Sequence, residues 1–180
     1  MAKVTAADLF DPALRSIELH MQLGGQVSNP SGIDVGQDPL DGTWFFTSDD
    51  VRLHLKIENE SFVLGASDRG QAENHVFTTP LLEDMEKYLT YRFCTISRFD
   101  KQLPMLLVVP IPATLDKVAP GFRIEAIGRN SRLIHHSSHI VRLGSVVDLV
   151  EFSHYVNLSG NELRTACMEP NGKLPFFPRP

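Results

Sequence analysis

Seven histidines, two cysteines and several adjacent carboxylates are the residues of this 180-residue chain whose types could support chemistry. The densest group is His135, His136 and His139, and neutral imidazoles grouped this way are common ligands of zinc and its neighbours. On a strand, successive side chains leave opposite faces, so His135 and His136 cannot share one ion. Neither a His-Glu-x-x-His helix nor a His-x-His pair is present. The three read as solvated strand histidines, and no metal is expected there.

Ser153 stands beside His154, the two residue types of a nucleophile and its base. Adjacent residues on a helix project about 100° apart, so the pair is not placed to exchange a proton. No Gly-x-Ser-x-Gly elbow occurs. Cys94 lies beside the apolar stripe of a predicted helix and reads as a small core residue. Two cysteines, Cys94 and Cys167, cannot by themselves build a disulfide framework or a thiolate metal site. The acidic pairs Asp49-Asp50 and Glu83-Asp84 fall in a turn and in the first turn of a helix, where each has a structural reason. No Gly-rich loop leads into a helix to cradle phosphate. These residues predict no catalytic group, no cofactor and no enzyme.

Two polar segments suit recognition better. The stretch Ser67-Asp68-Arg69-Gly70-Gln71-Ala72-Glu73-Asn74 sits between two predicted strands, and such an anchored loop can present side chains to another protein. Asp68, Arg69 and Gln71 are its candidate partner-binding residues. Residues 24–42 carry five glycines, two prolines and the polar Asp34, Gln37, Asp38 and Asp41. They read as a long mobile loop, either solvated or offering carboxylates to a basic site.

Around these segments the elements follow from patterning. Asp11-Pro12 is a helix start, and Leu14, Ile17 and Met21 form one apolar stripe, predicting a helix over 12–23. Thr43 to Thr47 is aromatic and β-branched. Val51-Arg52-Leu53-His54-Leu55-Lys56-Ile57 alternates strictly, which turns Leu53 and Leu55 to a core face. Asn59-Glu60 is a two-residue connection into a return strand carrying Phe62 and Leu64. Val76-Phe77 resumes the sheet, and connections this short demand antiparallel pairing.

Thr79-Pro80 opens a helix whose buried stripe is Leu81, Met85, Tyr88, Leu89 and Ile96. Leu103 to Pro112 is apolar but punctuated by proline, the mark of an edge or broken strand. Residues 122–127 alternate again and form a hairpin with 132–135 across Asn130-Ser131. Val146 to Val156 has a helical pattern, and Ser159-Gly160-Asn161-Glu162 is a capping box opening a helix to about Met168. The proline-rich tail from Leu174 reads as extended along the body.

The fold class that results is α+β: an antiparallel meander packed against a central helix, with an N-terminal helix and two C-terminal helices. A single domain over 1–180 is expected, with the helix and loop of 1–42 preceding an α+β body over 43–177. Hydrophobic residues at 42% and charged residues at 22% exclude a disordered or coiled-coil chain. The longest aliphatic run, Met105 to Val109, is too short to span a membrane, and no export signature follows Met1. A cytoplasmic protein is expected. The net charge of −5 supplies no positive field for nucleic acid and suits a basic partner.

Ser67-Asp68-Arg69-Gly70 after a strand, then Glu86-Lys87-Tyr88-Leu89, Arg98 and Leu103-Pro104, form an ordered series. Gly121-Phe122, Phe152-Ser153-His154, Leu158-Ser159 and Glu169-Pro170-Asn171-Gly172-Lys173-Leu174-Pro175-Phe176 continue it. In order and spacing, from about Trp44 to Phe177, the chain resembles the TNT antitoxin family of actinobacterial immunity proteins. The resemblance implies a cytosolic antitoxin that binds a cognate NAD-degrading toxin domain and blocks its active site. Such a protein needs no catalytic group of its own. A secretion chaperone or peptide-binding module, using a sheet edge near Met105 to Val109 or a groove beside the C-terminal helices, is the alternative from another class. A third is a small-molecule enzyme built around His135, His136 or His139.

Overall fold

The computed structural model describes residues 34–37, 40, 43–48, 51–68, 71–100, 102–128, 130–138 and 140–179. The predicted helix over 12–23, Arg69 and His139 lie outside these residues. The chain forms two compact units, Met1–Leu82 and Glu83–Pro180.

The described part of the first unit is an antiparallel meander of β1 (Asp34–Gln37), β2 (Trp44–Ser48), β3 (Val51–Glu58), β4 (Ser61–Asp68) and β5 (Asn74–Thr79), in that spatial order. The alternation sets the register: Leu55 faces Leu64 and Trp44, and Leu53 faces Phe46. Leu55, Leu64, Phe62, Phe77 and Phe46 are buried, whereas Leu53 and Ile57 are half-buried. A one-residue slip would carry this whole set to the other face, so burial fixes the pairing. Asn59 and Glu60 take positive φ of 47° and 60°, the geometry of a tight two-residue hairpin turn whose twist matches its strands.

Two expectations change here. Within the predicted 24–42 loop Asp34–Gln37 form a strand, β1, with Asp34 opposite Thr47 and Gly36 opposite Phe45. Asp-Val-Gly-Gln has no alternation of its own, and its order comes from main-chain pairing to the aromatic β2. Leu81, expected on the buried stripe of a helix, is 37% exposed. The helix begins one residue later, and the Leu81 N–H is held by Thr79 Oγ1 at 3.2 Å.

The second unit holds α1 (Leu82–Asp100), β6 (Leu106–Leu107), β7 (Phe122–Ile127), β8 (Asn130–His135), β9 (Val141–Gly144), α2 (Val146–Tyr155), α3 (Gly160–Met168) and β10 (Phe177–Pro178). Met85, Tyr88 and Leu89 bury one face of α1 as their spacing requires. Rings join the helices: Tyr88 lies 6.4 Å from Phe152, and Tyr91 lies 5.0 Å from Tyr155. Strands β7, β8 and β9 form an antiparallel run packed against α2. Gly128, with φ +58°, follows β7 in a turn, and Asn130 is already in the strand rather than in the connection. Proline breaks the 103–112 segment down to the two residues of β6, which pair with β10 of the tail.

Serine caps start both later helices. Ser145 Oγ accepts from the Asp148 N–H at 3.1 Å, and Ser159 with Glu162 forms the predicted reciprocal box. Buried cations tie the unit together, among them Arg142 and Lys87. Arg142 donates to Asp84 Oδ2 from Nε and from its terminal nitrogen, each at 2.7 Å. Lys87 reaches the Val156 carbonyl at 2.7 Å. With antiparallel sheet and three helices among the described residues, the fold is α+β.

Candidate functional site

The residues singled out from the sequence for partner binding fall at the end of the β4–β5 hairpin. Asp68, the last residue of β4, is exposed and stands opposite Val51. The Gln71 N–H donates to the Asp68 carbonyl at 2.8 Å, closing the turn, and the Gln71 side chain is exposed. Asp68 and Gln71 are thus brought to one turn, flanking the position of Arg69.

The return leg of this turn is clamped. Between Leu64 and Gly65 the β4–β5 register shifts in a bulge, and the Glu73 side chain lies over Gly65 so closely that a Cβ there would overlap its carboxylate. That carboxylate reaches Lys56 Nζ on β3 at 3.3 Å, and Lys56 also meets Glu58 at 3.1 Å. The Glu58 hydrogen bond and the charge of Glu73 hold the Lys56 ammonium above its ordinary pKa, against partial burial. On the same face His54 Nε2 is 2.9 Å from Ser67 Oγ, and the Arg52 guanidinium sits 5.0 Å from the Phe45 ring centroid. Charge pairing and stacking therefore hold the flanks of the loop in one geometry, the condition for presenting side chains at low entropic cost.

Glu73, Gly65 and Lys56 were not among the sequence candidates. The available signal was glycine inside a strand, which marks a close approach of another group.

The second unit carries a polar cluster that no motif announces. Tyr88 donates to Asp148 Oδ1 at 2.9 Å, Arg92 Nε donates to the Tyr88 hydroxyl at 3.2 Å, and Arg92 lies 3.4 Å from the same carboxylate oxygen. Beside them Glu151 is pushed up to about 6 by burial and by the negative charge of Asp148. The cluster links α1 to α2 across a partly solvated surface.

The chemical candidates are dispersed. Ser153 is buried, accepts from the Ala119 N–H at 3.0 Å and donates to the Val150 carbonyl at 2.7 Å. His154 instead meets the Lys117 carbonyl at 2.7 Å, so the two form no nucleophile–base pair. His135 Nδ1 is engaged by Ser137, whose Oγ lies at 2.8 Å, and His136 is exposed in the following turn. Among the described residues no three His, Cys, Asp or Glu side chains converge to hold a metal. Cys94 and Cys167 are both buried, and a hydrogen bond between the two thiols, reinforced by burial, raises the Cys167 thiol far above its ordinary range. Among the described residues no helix is long and apolar enough to cross a membrane.

A family model described as Immunity protein 61 matches residues 27–175. Over 120 residues the chain is 29% identical to the immunity factor for TNT of Mycobacterium tuberculosis (strain ATCC 25618 / H37Rv), and equally to the immunity factor for TNT homolog of Mycobacterium bovis (strain BCG / Pasteur 1173P2). The aligned stretch spans 64% of this chain and 66% of each relative's length. The fold is also that of the solved structure of Rv3902c from M. tuberculosis, with a TM-score of 0.74 at 24% identity, covering 97% of this chain and 94% of that one.

Proposed function

The chain belongs to the Immunity protein 61 family, and from that premise we propose that it is an antitoxin that binds a cognate NAD-degrading toxin domain and occludes its active site. The observation that carries this reading is the match of the family model over residues 27–175, joined by the 29% identity to immunity factors for TNT. Its partner is a protein, and inhibition requires no turnover by the antitoxin itself.

The β4–β5 hairpin is the surface we assign to the contact. Its Asp68 can meet a cationic group that otherwise holds phosphate, and Gln71 and Arg69 can supply directed hydrogen bonds. The net charge of −5 favours encounter with a cleft that must attract a pyrophosphate.

The test is titration of the purified protein into a candidate NAD-degrading toxin domain, with NAD hydrolysis and complex formation measured together. Stoichiometric loss of hydrolysis, with NAD competing for the complex, is the expected outcome. Full hydrolysis in a saturated complex rejects occlusion, and failure to form any complex rejects the partnership.

A further inference from the structure

The outer edge of β7 has a self-complementary pattern. In the second unit the strand order ends at β7, and among the described residues no strand pairs with its other side. Which main-chain groups face that open side follows from the ladder. His136 N–H donates to the Gly121 carbonyl at 2.9 Å, while Phe122 stands directly opposite His135. Phe122 and His135 are therefore a non-hydrogen-bonded pair, and the bonds to β8 alternate from there through the odd-numbered residues 123, 125 and 127. Consistently, the Phe122 N–H turns away from β8 to the Ala119 carbonyl at 3.2 Å. Ile124 and Ala126 thus direct their N–H and carbonyl groups out of the sheet.

The side chains along this edge carry balanced charge. Arg123 Nε lies 2.9 Å from Glu125 Oε1, and Arg132 of β8 holds the other carboxylate oxygen from its Nε at 2.8 Å. Both arginines hold the Glu125 carboxyl below its ordinary range, Arg123 contributing most. Arg123 and Glu125 share one face of β7 two residues apart, so an antiparallel copy of the same strand centred on Ile124 brings Arg123 opposite Glu125. In that register Phe122 faces Ala126, and Ile124 faces its own copy.

We propose that the open edge of β7 pairs antiparallel with the β7 of a second copy of this chain, about a two-fold axis at Ile124. Two hydrogen bonds join the Ile124 main chains reciprocally. Two more run from each Ala126 N–H to the Phe122 carbonyl of the other copy. Two Arg123–Glu125 contacts cross the outer face. The isologous arrangement closes after two chains, whereas an open hydrophobic edge would keep adding strands. One short strand edge buries little area, so the dimer is weak and set by concentration. This inference does not rest on the antitoxin reading.

Sedimentation equilibrium of the full chain over a wide concentration range tests it, with four variants. Wild type is expected to show a reversible monomer–dimer equilibrium. Arg123→Glu and Glu125→Arg should each weaken dimerisation roughly tenfold, since two cross-strand pairs are lost at once. The double variant Arg123→Glu/Glu125→Arg should recover it. Ala126→Pro removes an outward N–H without breaking a bond to β8, a position where an edge strand tolerates proline, and should leave only monomer with an unchanged circular dichroism spectrum. Wild type that stays monomeric throughout overturns the proposal, as does a double variant no better than the single ones. If wild type is monomeric and the charge variants lose affinity for the toxin domain instead, the edge belongs to that partner and the self-pairing is rejected. Should the proline variant fold poorly, the charge-exchange series decides alone.

Discussion

Arg98 of α1 donates to the main-chain carbonyl of Cys167, at the end of α3, over 2.7 Å. The same guanidinium bonds the carbonyls of Pro104, Glu169 and Pro170 at 2.7–2.8 Å, and the side chain is buried at 2% exposure. All four of these acceptors are carbonyl oxygens, the negative ends of peptide dipoles around a helix C-terminus, and they stand where a carboxylate would otherwise balance the charge. One planar fork thereby joins the end of α1 to the 103–104 segment and the chain leaving α3.

Arg98→Ala would strip this donor from four carbonyls; the Cys167 bond is the buried one, while the Glu169 carbonyl keeps the Gly172 N–H at 2.9 Å, and a buried unmet polar group costs about 1–3 kcal/mol. The expected loss of stability is about 1–3 kcal/mol, read from the denaturant midpoint. Arg98→Lys keeps the charge but not the fork, and should recover only part of the loss. A lysine variant as stable as wild type would show that charge alone suffices.

Much of the meander was legible because β3 alternates strictly and one face is buried. Leu55, Phe62 and Leu64 fall where period two puts them. The capping box at Ser159 and Glu162 was equally legible, being local chemistry at fixed spacing. What local patterning could not supply were partners distant in sequence. Asp84 read as a helix-dipole residue, yet it is the buried partner of Arg142, and Arg98 gave no hint of its four carbonyls. At the candidate site the turn residues were legible from composition. The Glu73–Lys56 clamp was not, because it depends on a bulge at Gly65 that alternation cannot announce.

Leu55 is 1% exposed at the centre of the first unit's sheet. Leu55→Ala should cost about 2–5 kcal/mol, the range set by how far neighbours close the cavity. Lys56→Gln on the opposite face should cost under about 1 kcal/mol, since its ion pairs are partly solvated. Thermal denaturation of the two variants side by side measures the contrast.

Glu151 links stability to pH. Its folded pKa of about 6 lies above the ordinary 4.5 because burial and Asp148 disfavour the carboxylate. Between these values the folded chain holds more protons than the unfolded one, so this group lowers stability as pH rises, and the penalty is complete above about pH 6. The full shift corresponds to about 2 kcal/mol, which partial exposure reduces to about 1 kcal/mol. Glu151→Gln should therefore be more stable than wild type at pH 7 and show a smaller difference at pH 4. An unchanged pH profile would mean that Glu151 is solvated as an ordinary surface carboxyl.

Asp68 and Gln71 are exposed at a closed turn, and Glu73 fixes the return leg through Lys56. Flanks held in one geometry have little entropy left to lose on binding, so Asp68 and Gln71 can contribute strongly. Replacing Asp68, Arg69 and Gln71 together by Ala should weaken toxin binding by about 2 kcal/mol or more if the loop fills the nucleotide pocket. A loss within about 1 kcal/mol that fades with salt places the loop on the rim. Lys56→Gln should also reduce affinity, because it frees Glu73 without removing any of the three contact residues. Calorimetric titration against the toxin domain reads all of these. Unchanged affinity in the triple variant would remove the loop from the interface, while unchanged affinity in Lys56→Gln alone would show that the Glu73–Lys56 clamp does not contribute to binding.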